Sequence, residues 1–160
     1  MATTRKDKVN QKPQNAIALL RADHKKVSEL FEQYEKTRSA EKKGAIVAEI
    51  CAELTVHAQI EEEIFYPTVK AALKDKELIP EALVEHASLK SLIAEVEGAK
   101  PEGEMFDAKI HVMAEFVKHH VKEEQNEMFP KAEKTAVDMD ELGAQLAERK
   151  EQLLGKLQPA

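Results

Sequence analysis

The sequence predicts an all-α protein, an up-down-up-down antiparallel four-helix bundle with a short extra C-terminal helix. Three observations predict the bundle. Ala, Glu, Lys and Leu dominate, whereas the 160 residues include only 5 Gly and 6 Pro and aromatics are 4%, which is helical composition. Four segments repeat apolar residues at alternating spacings of three and four, the period of one helix face. The breaks between them are short, of the length that joins antiparallel neighbours. A chain of 160 residues supports one sizeable core and is too short for two ordinary domains.

Taken in order, residues 1–14, MATTRKDKVNQKPQ, are polar and without an apolar period, so they are expected to form a mobile tail. The bundle is expected over residues 15–134. Its first seam runs Ile17, Leu20, His24, Val27, Phe31, Tyr34 and its second Ile50, Leu54, His57, Glu61, Ile64. The third runs Ile79, Ala82, His86, Leu89, Ile93, Val96, and the fourth Phe106, Ile110, Met113, Val117, His120, Glu124. Thr37 to Glu41, Lys74 to Glu77 and Gly98 to Gly103 supply the connections. Pro67 and Pro130 fall late in the second and fourth segments, where each is expected to kink or end its helix. Residues 135–160 read as a helical extension carrying Met139, Leu142, Leu146, Leu153 and Leu157. Asp138 or Asp140 is its expected cap, and its apolar face is expected against the outside of the bundle, a second subunit or a protein partner.

Composition excludes several classes of function. The formal charge of −6 is spread through mixed Glu/Lys segments with no basic stripe, which argues against nucleic acid as a partner. No apolar run is long enough to span a membrane, and the N-terminus lacks the apolar stretch of a secretory signal, so a cytoplasmic location is expected. The single Cys51 cannot form an internal disulfide and reads as a small buried hydrophobe. There is no glycine-rich phosphate loop, cysteine cluster or convincing Ser-His-Asp order.

The chemistry lies in the polar residues of the seams, where each segment carries one histidine. In HAQIEEEIFYP, residues 57–67, and in HVKEEQNEMFP, residues 120–130, the histidine is followed four residues later by Glu and ten residues later by Pro. A core carboxylate is costly unless paired or bound to metal, and a core imidazole needs its nitrogens satisfied. One such histidine is ordinarily a hydrogen-bonded core residue. Four, two of them paired with Glu one turn on, call for a common partner. In an alternating bundle, His24, His57, His86 and His120 converge on one layer with Glu61 and Glu124. Neutral imidazole and carboxylate suit iron or manganese, and this many ligands exceed the needs of one tetrahedral ion. A dinuclear centre fits, with His24 and His57 on one side, His86 and His120 on the other, and carboxylates bridging. His119 also has a Glu four residues on, Glu123, but the seam and the downstream Pro select His120 with Glu124. His111 and His119 read as surface residues or outer neighbours of the centre, and Glu62, Glu63 and Glu123 as the solvated edge of their helices.

The ordered pattern H…HxxxE…H…HxxxE, with Phe65-Tyr66-Pro67 and Phe129-Pro130 after the two pairs, resembles the hemerythrin-like cation-binding domain over roughly residues 15–134. The resemblance implies a hemerythrin-like four-helix bundle around a non-haem di-iron centre, oxo- or hydroxo-bridged, with His24, His57, His86 and His120 as terminal ligands and Glu61 and Glu124 as bridges; manganese is the alternative metal. It also implies a small diatomic or peroxide ligand, with dioxygen or nitric oxide binding or sensing, iron handling, or turnover of peroxide as the function. Oxygen-carrying hemerythrins have a further histidine where this chain has Lys90, and an Asp five residues after its His where this chain has Glu124 at four. The resemblance is therefore to the broader bacterial group. Lys90, one turn beyond His86, is expected either to pair with a carboxylate such as Glu127 or to extend to solvent. The ferritin-like alternative requires Glu-x-x-His on two helices, and no histidine here has Glu three residues before it.

Overall fold

The computed structural model describes residues 14–157, and its regular elements there are all helical. Most of the expected N-terminal tail, residues 1–13, lies outside the described residues. Helix α1 spans Ala16–Lys36, and the side chain of Asn15 caps it by accepting the Ala18 amide at 2.8 Å. Helix α2 starts at Ala40 behind the Ser39 cap and runs in three segments: α-helical Ala40–Ile60, a π turn Glu61–Phe65, and α-helical Tyr66–Ala72. Helix α3 is Leu78–Glu97. Helix α4 repeats the plan of α2 with Glu104–Glu123, a π turn Glu124–Met128 and Phe129–Glu133. Helix α5 is Met139–Leu157, and Asp138 caps it through its side chain, which accepts the amides of Asp140 and Glu141.

Consecutive helices pack side by side, and α4 closes the ring by packing on α1. Helix α5 lies outside that ring against α1 and α2. Its passage over the start of α1 requires glycine at one position: a Cβ on Gly143 would collide with the Gln14 carbonyl oxygen and sit 2.7 Å from the Ala16 amide nitrogen. No helix among the described residues is long and apolar enough to cross a membrane.

The seams bury almost every residue the periodicity assigns to them. They form two apolar clusters. One contains Leu20, Ile60, Ala82 and Met128; the other contains Val27, Leu54, Leu89 and Val117. Along every bundle helix the seam histidine falls between the two clusters, so a polar layer divides the core.

The π turns show how the prolines are accommodated and correct one expectation. Pro67 and Pro130 do not end their helices; each lies in the first turn of the α-helical segment that follows a π turn. A proline in a helix interior loses an amide donor and drives its ring into the preceding turn. The wider turn, in which the Tyr66 amide bonds the Glu61 carbonyl and the Phe129 amide bonds that of Glu124, accommodates both problems. The extra residue also rotates the seam. Ile64, assigned to the core by a strict helical period, is only partly buried, and Phe65 and Tyr66 take the interior instead.

Candidate metal centre

The histidine seams bring His24, His57, His86 and His120 inward with Glu61 and Glu124, and all six are buried, Glu61 completely and Glu124 to 2% exposure. They assemble as two triads, His24–His57–Glu124 and Glu61–His86–His120, in each of which one ligand atom per residue lies within 4.8 Å of the others. The Nε2 atoms face the centre. His24 Nε2 is 3.2 Å from His57 Nε2 and 3.2 Å from Glu124 Oε1. The other Glu124 oxygen, Oε2, is 3.3 Å from His120 Nε2, so this carboxylate spans the two triads. Glu61 does the same through one oxygen, with Oε1 at 3.0 Å from His57 Nε2 and 3.4 Å from His86 Nε2.

The outer ring nitrogens show how the imidazoles are aimed. Asp23 on α1 accepts from His57 Nδ1 of α2 at 2.9 Å, and Glu62 on α2 lies 3.2 Å from His86 Nδ1 of α3. Glu85 on α3 lies 3.4 Å from His120 Nδ1 of α4, and Gln125 on α4 accepts from His24 Nδ1 of α1 at 2.9 Å. Each helix thus supplies the outer neighbour of the next helix's histidine, all the way round the ring. The contact of Glu85 with His120 is too poorly aligned to count as a hydrogen bond; the other three are hydrogen bonds. Lysines extend two of them, Lys150 of α5 to Asp23 and Lys90 to Glu62 at 2.7 Å.

This pattern tests whether a cation suits the site. An imidazole that donates from Nδ1 to an oxygen acceptor is left with a lone pair at Nε2. His24 and His57 both face acceptors at Nδ1, so two Nε2 lone pairs would oppose one another at 3.2 Å. Only a proton or a cation between them removes that repulsion. Both Glu61 oxygens, Glu124 Oε1 and the Nε2 of His120 are also buried without a hydrogen-bond partner, which a native core rarely tolerates. The residues therefore fit a metal, with neutral imidazole and carboxylate as donors.

Without a cation the same groups compete for protons. Burial opposes the charged form of His57, but the Glu61 carboxylate and the hydrogen bond to Asp23 outweigh it and hold the pKa well above the ordinary histidine value. Burial likewise opposes charging of His120, and Glu124 carries its pKa up to about 9. Glu124 itself is pushed up by burial and pulled further down by His120 and His24, to a net position well below the usual carboxylate range. The Tyr66 hydroxyl donates to Glu124 Oε2 at 2.7 Å and lies 3.3 Å from His86 Nε2. Burial, with the Glu124 and Glu61 charges, holds this phenol well above its ordinary pKa and so keeps its proton.

The other histidine-glutamate pair stands apart: His119 is exposed, with Nε2 3.4 Å from Glu123. His111 is also exposed. Two readings need correction. Lys90 pairs with Glu62 instead of Glu127, and Glu127 is exposed beside Lys131 at 3.7 Å. Glu62, expected on the solvated edge of its helix, is partly buried and backs His86 at 3.2 Å. Periodicity did not single out Asp23, Glu62, Glu85 and Gln125 because they lie off the seams. The available signal was adjacency, since each is next in sequence to a seam residue of the centre.

Comparison with known proteins identifies the fold and the family. The family description "Hemerythrin HHE cation binding domain" matches residues 15–132. The crystal structure of a hemerythrin HHE cation binding domain-containing protein from Mycobacterium kansasii has the same fold, with a TM-score of 0.79, 23% identity and 89% of each chain covered. A protein named DNA nickase from Nostoc sp. is 28% identical over 115 residues, 72% of this chain but only 32% of its own length, so this chain spans about a third of that relative. With the family match covering most of the bundle and the His/Glu layer at its core, the chain belongs to the hemerythrin HHE cation-binding domain family.

Proposed function

We propose that this is a non-haem di-iron protein that binds or senses dioxygen or nitric oxide, or handles iron, at a centre held by His24, His57, Glu61, His86, His120 and Glu124. The observation that carries the reading is the pair of buried triads joined by two carboxylates, with orphaned donor atoms directed between them. Two iron ions held there supply redox chemistry and positions for a small ligand, and manganese suits the same donors. The up-down-up-down course is part of this reading: it places the two His-x-x-x-Glu pairs in the same sense on α2 and α4. A cytoplasmic setting is part of it too. The name DNA nickase is given to a protein of which the shared stretch is 32%, and nicking is not part of this reading.

The chain's own residues prepare the centre for a small ligand. Phe65 and Phe129 pack edge to face beneath it, and the Phe129 ring stacks on His24 with centroids 5.9 Å apart, which keeps that end dry. Tyr66 keeps a proton at the layer and offers it toward Glu124. That phenol favours a second reading, an enzyme that decomposes peroxide or a related oxidant, because such chemistry needs a proton donor beside the reacting atoms.

Elemental analysis of protein produced with iron should give about two Fe per chain, with near-ultraviolet bands that change on adding nitric oxide or hydrogen peroxide. One zinc per chain, with no bands after reconstitution with iron, would refute the di-iron reading. Catalytic peroxide consumption that falls in Tyr66→Phe at unchanged iron content would select the enzyme over the sensor. A spectral response to nitric oxide with peroxide left unconsumed would select the sensor.

A further inference from the structure

We propose that divalent cations reach the buried centre through the cleft between α3 and α4, with Glu85, His119 and Glu123 as a first docking point at its rim; this rests on the metal-centre reading above. The cleft has a volume of about 300 Å³ and runs from surface carboxylates, among them Glu81, Glu123 and Glu127, to His120 and Glu124 at its inner end. His120 is 8% exposed and has no hydrogen bond at either ring nitrogen, and Glu124, 2% exposed, has one oxygen without a partner. The inner end thus holds a ligand ring with both nitrogens unpartnered, set among Leu78, Ala82 and Met128, and the outer wall is acidic.

The rim can hold a cation briefly. One ligand atom from each of Glu85, His119 and Glu123 lies within 4.8 Å of the others, and His119 with Glu123 repeats the i, i+4 pairing of the buried ligands. Both are exposed, so water competes and any ion there is held weakly and passed on. Lys131 contacts Glu127 at 3.7 Å but is closer to Asp75, at 3.0 Å, which leaves the cleft with a surplus of negative charge. Clustered like charges in a cleft focus the potential and raise the encounter rate with ions of opposite sign by about ten- to a thousandfold, less as salt increases.

The other approaches are closed. His57 is backed by Asp23 with the Lys150 ammonium behind it, and His86 by Glu62 with the Lys90 ammonium behind it. His24 is backed by Gln125 and stacked on Phe129, over whose ring the Arg21 guanidinium sits at 5.6 Å. A cation arriving by those routes meets a hydrogen-bonded partner and a positive charge. Among the described residues, only His120 has a carboxylate, Glu85, behind it with no hydrogen bond formed and no cation beyond.

The test mixes the metal-free full-length protein with Co(II) in a stopped-flow instrument and follows the visible cobalt bands as the ion is taken up. Glu81→Gln/Glu123→Gln should slow second-order uptake about tenfold at low ionic strength, with the same final cobalt per chain, and should converge on the wild-type rate as salt is raised. His119→Ala should also slow uptake without lowering the final content. Glu29→Gln/Glu32→Gln, which removes equal charge from exposed positions on α1, should change the rate by less than about twofold. Cleft variants that load as fast as the wild type, or no slower than the α1 control, would overturn the port while leaving the centre in place. A lower final cobalt content in the cleft variants would also overturn it, by making those residues ligands instead of a route. Failure of the wild type to take up cobalt at all would instead sink the metal-centre reading.

Discussion

Replacing Asp23 with alanine should weaken metal binding by one to two orders of magnitude although Asp23 touches no metal. Its carboxylate is 3% exposed; Oδ2 lies 2.9 Å from His57 Nδ1 and Oδ1 accepts from Lys150. In Asp23→Ala, the His57 ring loses the acceptor that directs Nε2 at the centre. Loss of such a partner typically costs about 10- to 100-fold in metal affinity, or roughly 1.4–2.7 kcal/mol. The same change leaves a buried N–H donor unsatisfied, at a further cost of about 1–3 kcal/mol to the fold. Lys150→Met keeps the Asp23–His57 bond and should weaken binding less. Arg149→Ala cuts an ion pair with Glu63 at 2.8 Å on the surface, worth about 0–1 kcal/mol, and should leave affinity unchanged. Chelator competition under anaerobic conditions gives the Fe(II) affinities, and thermal unfolding with and without metal gives the stabilities. Asp23→Ala binding as tightly as Arg149→Ala would refute the idea that the outer acceptors aim the imidazoles.

Glu61→Ala and Glu124→Ala should each lose both ions because each carboxylate faces both triads, whereas His119→Ala should retain its metal at equilibrium; metal content after gel filtration decides this, and an empty His119→Ala would move the site to the wrong face of α4. Metal binding should tighten as pH rises: the proton on His120 contributes stability to the metal-free chain fully below the unfolded value near 6.5 and loses it through about 9, and a cation must displace that proton. The gap between metal-bound and metal-free melting temperatures should therefore widen from pH 6.5 to 9, and a constant gap would contradict the assignment. Gly143→Ala should destabilise the protein by about 1–3 kcal/mol in urea unfolding, since the added carbon meets the backbone at the start of α1. Gly155→Ala, with open space around it, should stabilise by up to about 1 kcal/mol; similar destabilisation by both would show that α5 does not dock as described.

The parts of this fold that were legible are those that obey a helical period. Burial selects one face of a helix, so Ile17 through Tyr34, Ile79 through Val96 and Phe106 through Glu124 can be assigned to the interior by counting, and all the seam positions in these runs prove buried. The periodicity misleads at Ile64, because a π turn is a backbone decision that a window of side chains does not reveal until Pro67 is read as its cause. The outer partners were obscure for another reason. Glu62 beside Glu61 is an ordinary exposed-looking acid in the sequence, and only the approach of α3 gives it His86 on one oxygen and Lys90 on the other. Nothing in the residues around Lys90 distinguishes Glu62 from Glu127 as its partner, since that choice depends on how two helices face each other.

The π turns also explain why the two ends of the centre differ chemically. In a regular α-helix a residue five positions after a ligand is rotated by about 140° from it, off the interior face. With an i→i+5 turn beginning at the ligand itself, that residue returns close to the ligand's side. The turns begin at Glu61 and at Glu124, so the residues returned are Tyr66 and Phe129. On α2 the returned side chain has a hydroxyl, which reaches across to Glu124 and to the His86 ring of the second triad. On α4 it is a plain phenyl ring, which lies parallel to His24 of the first triad at an interplanar angle of 2°. The same backbone device thus places a proton donor between Glu124 and His86, where the two triads meet, and an apolar cover on His24. Two ions held by otherwise matching sets, each of a histidine pair and a carboxylate, would consequently be inequivalent, and exchanging only Tyr66 and Phe129, with every ligand kept, would alter that difference.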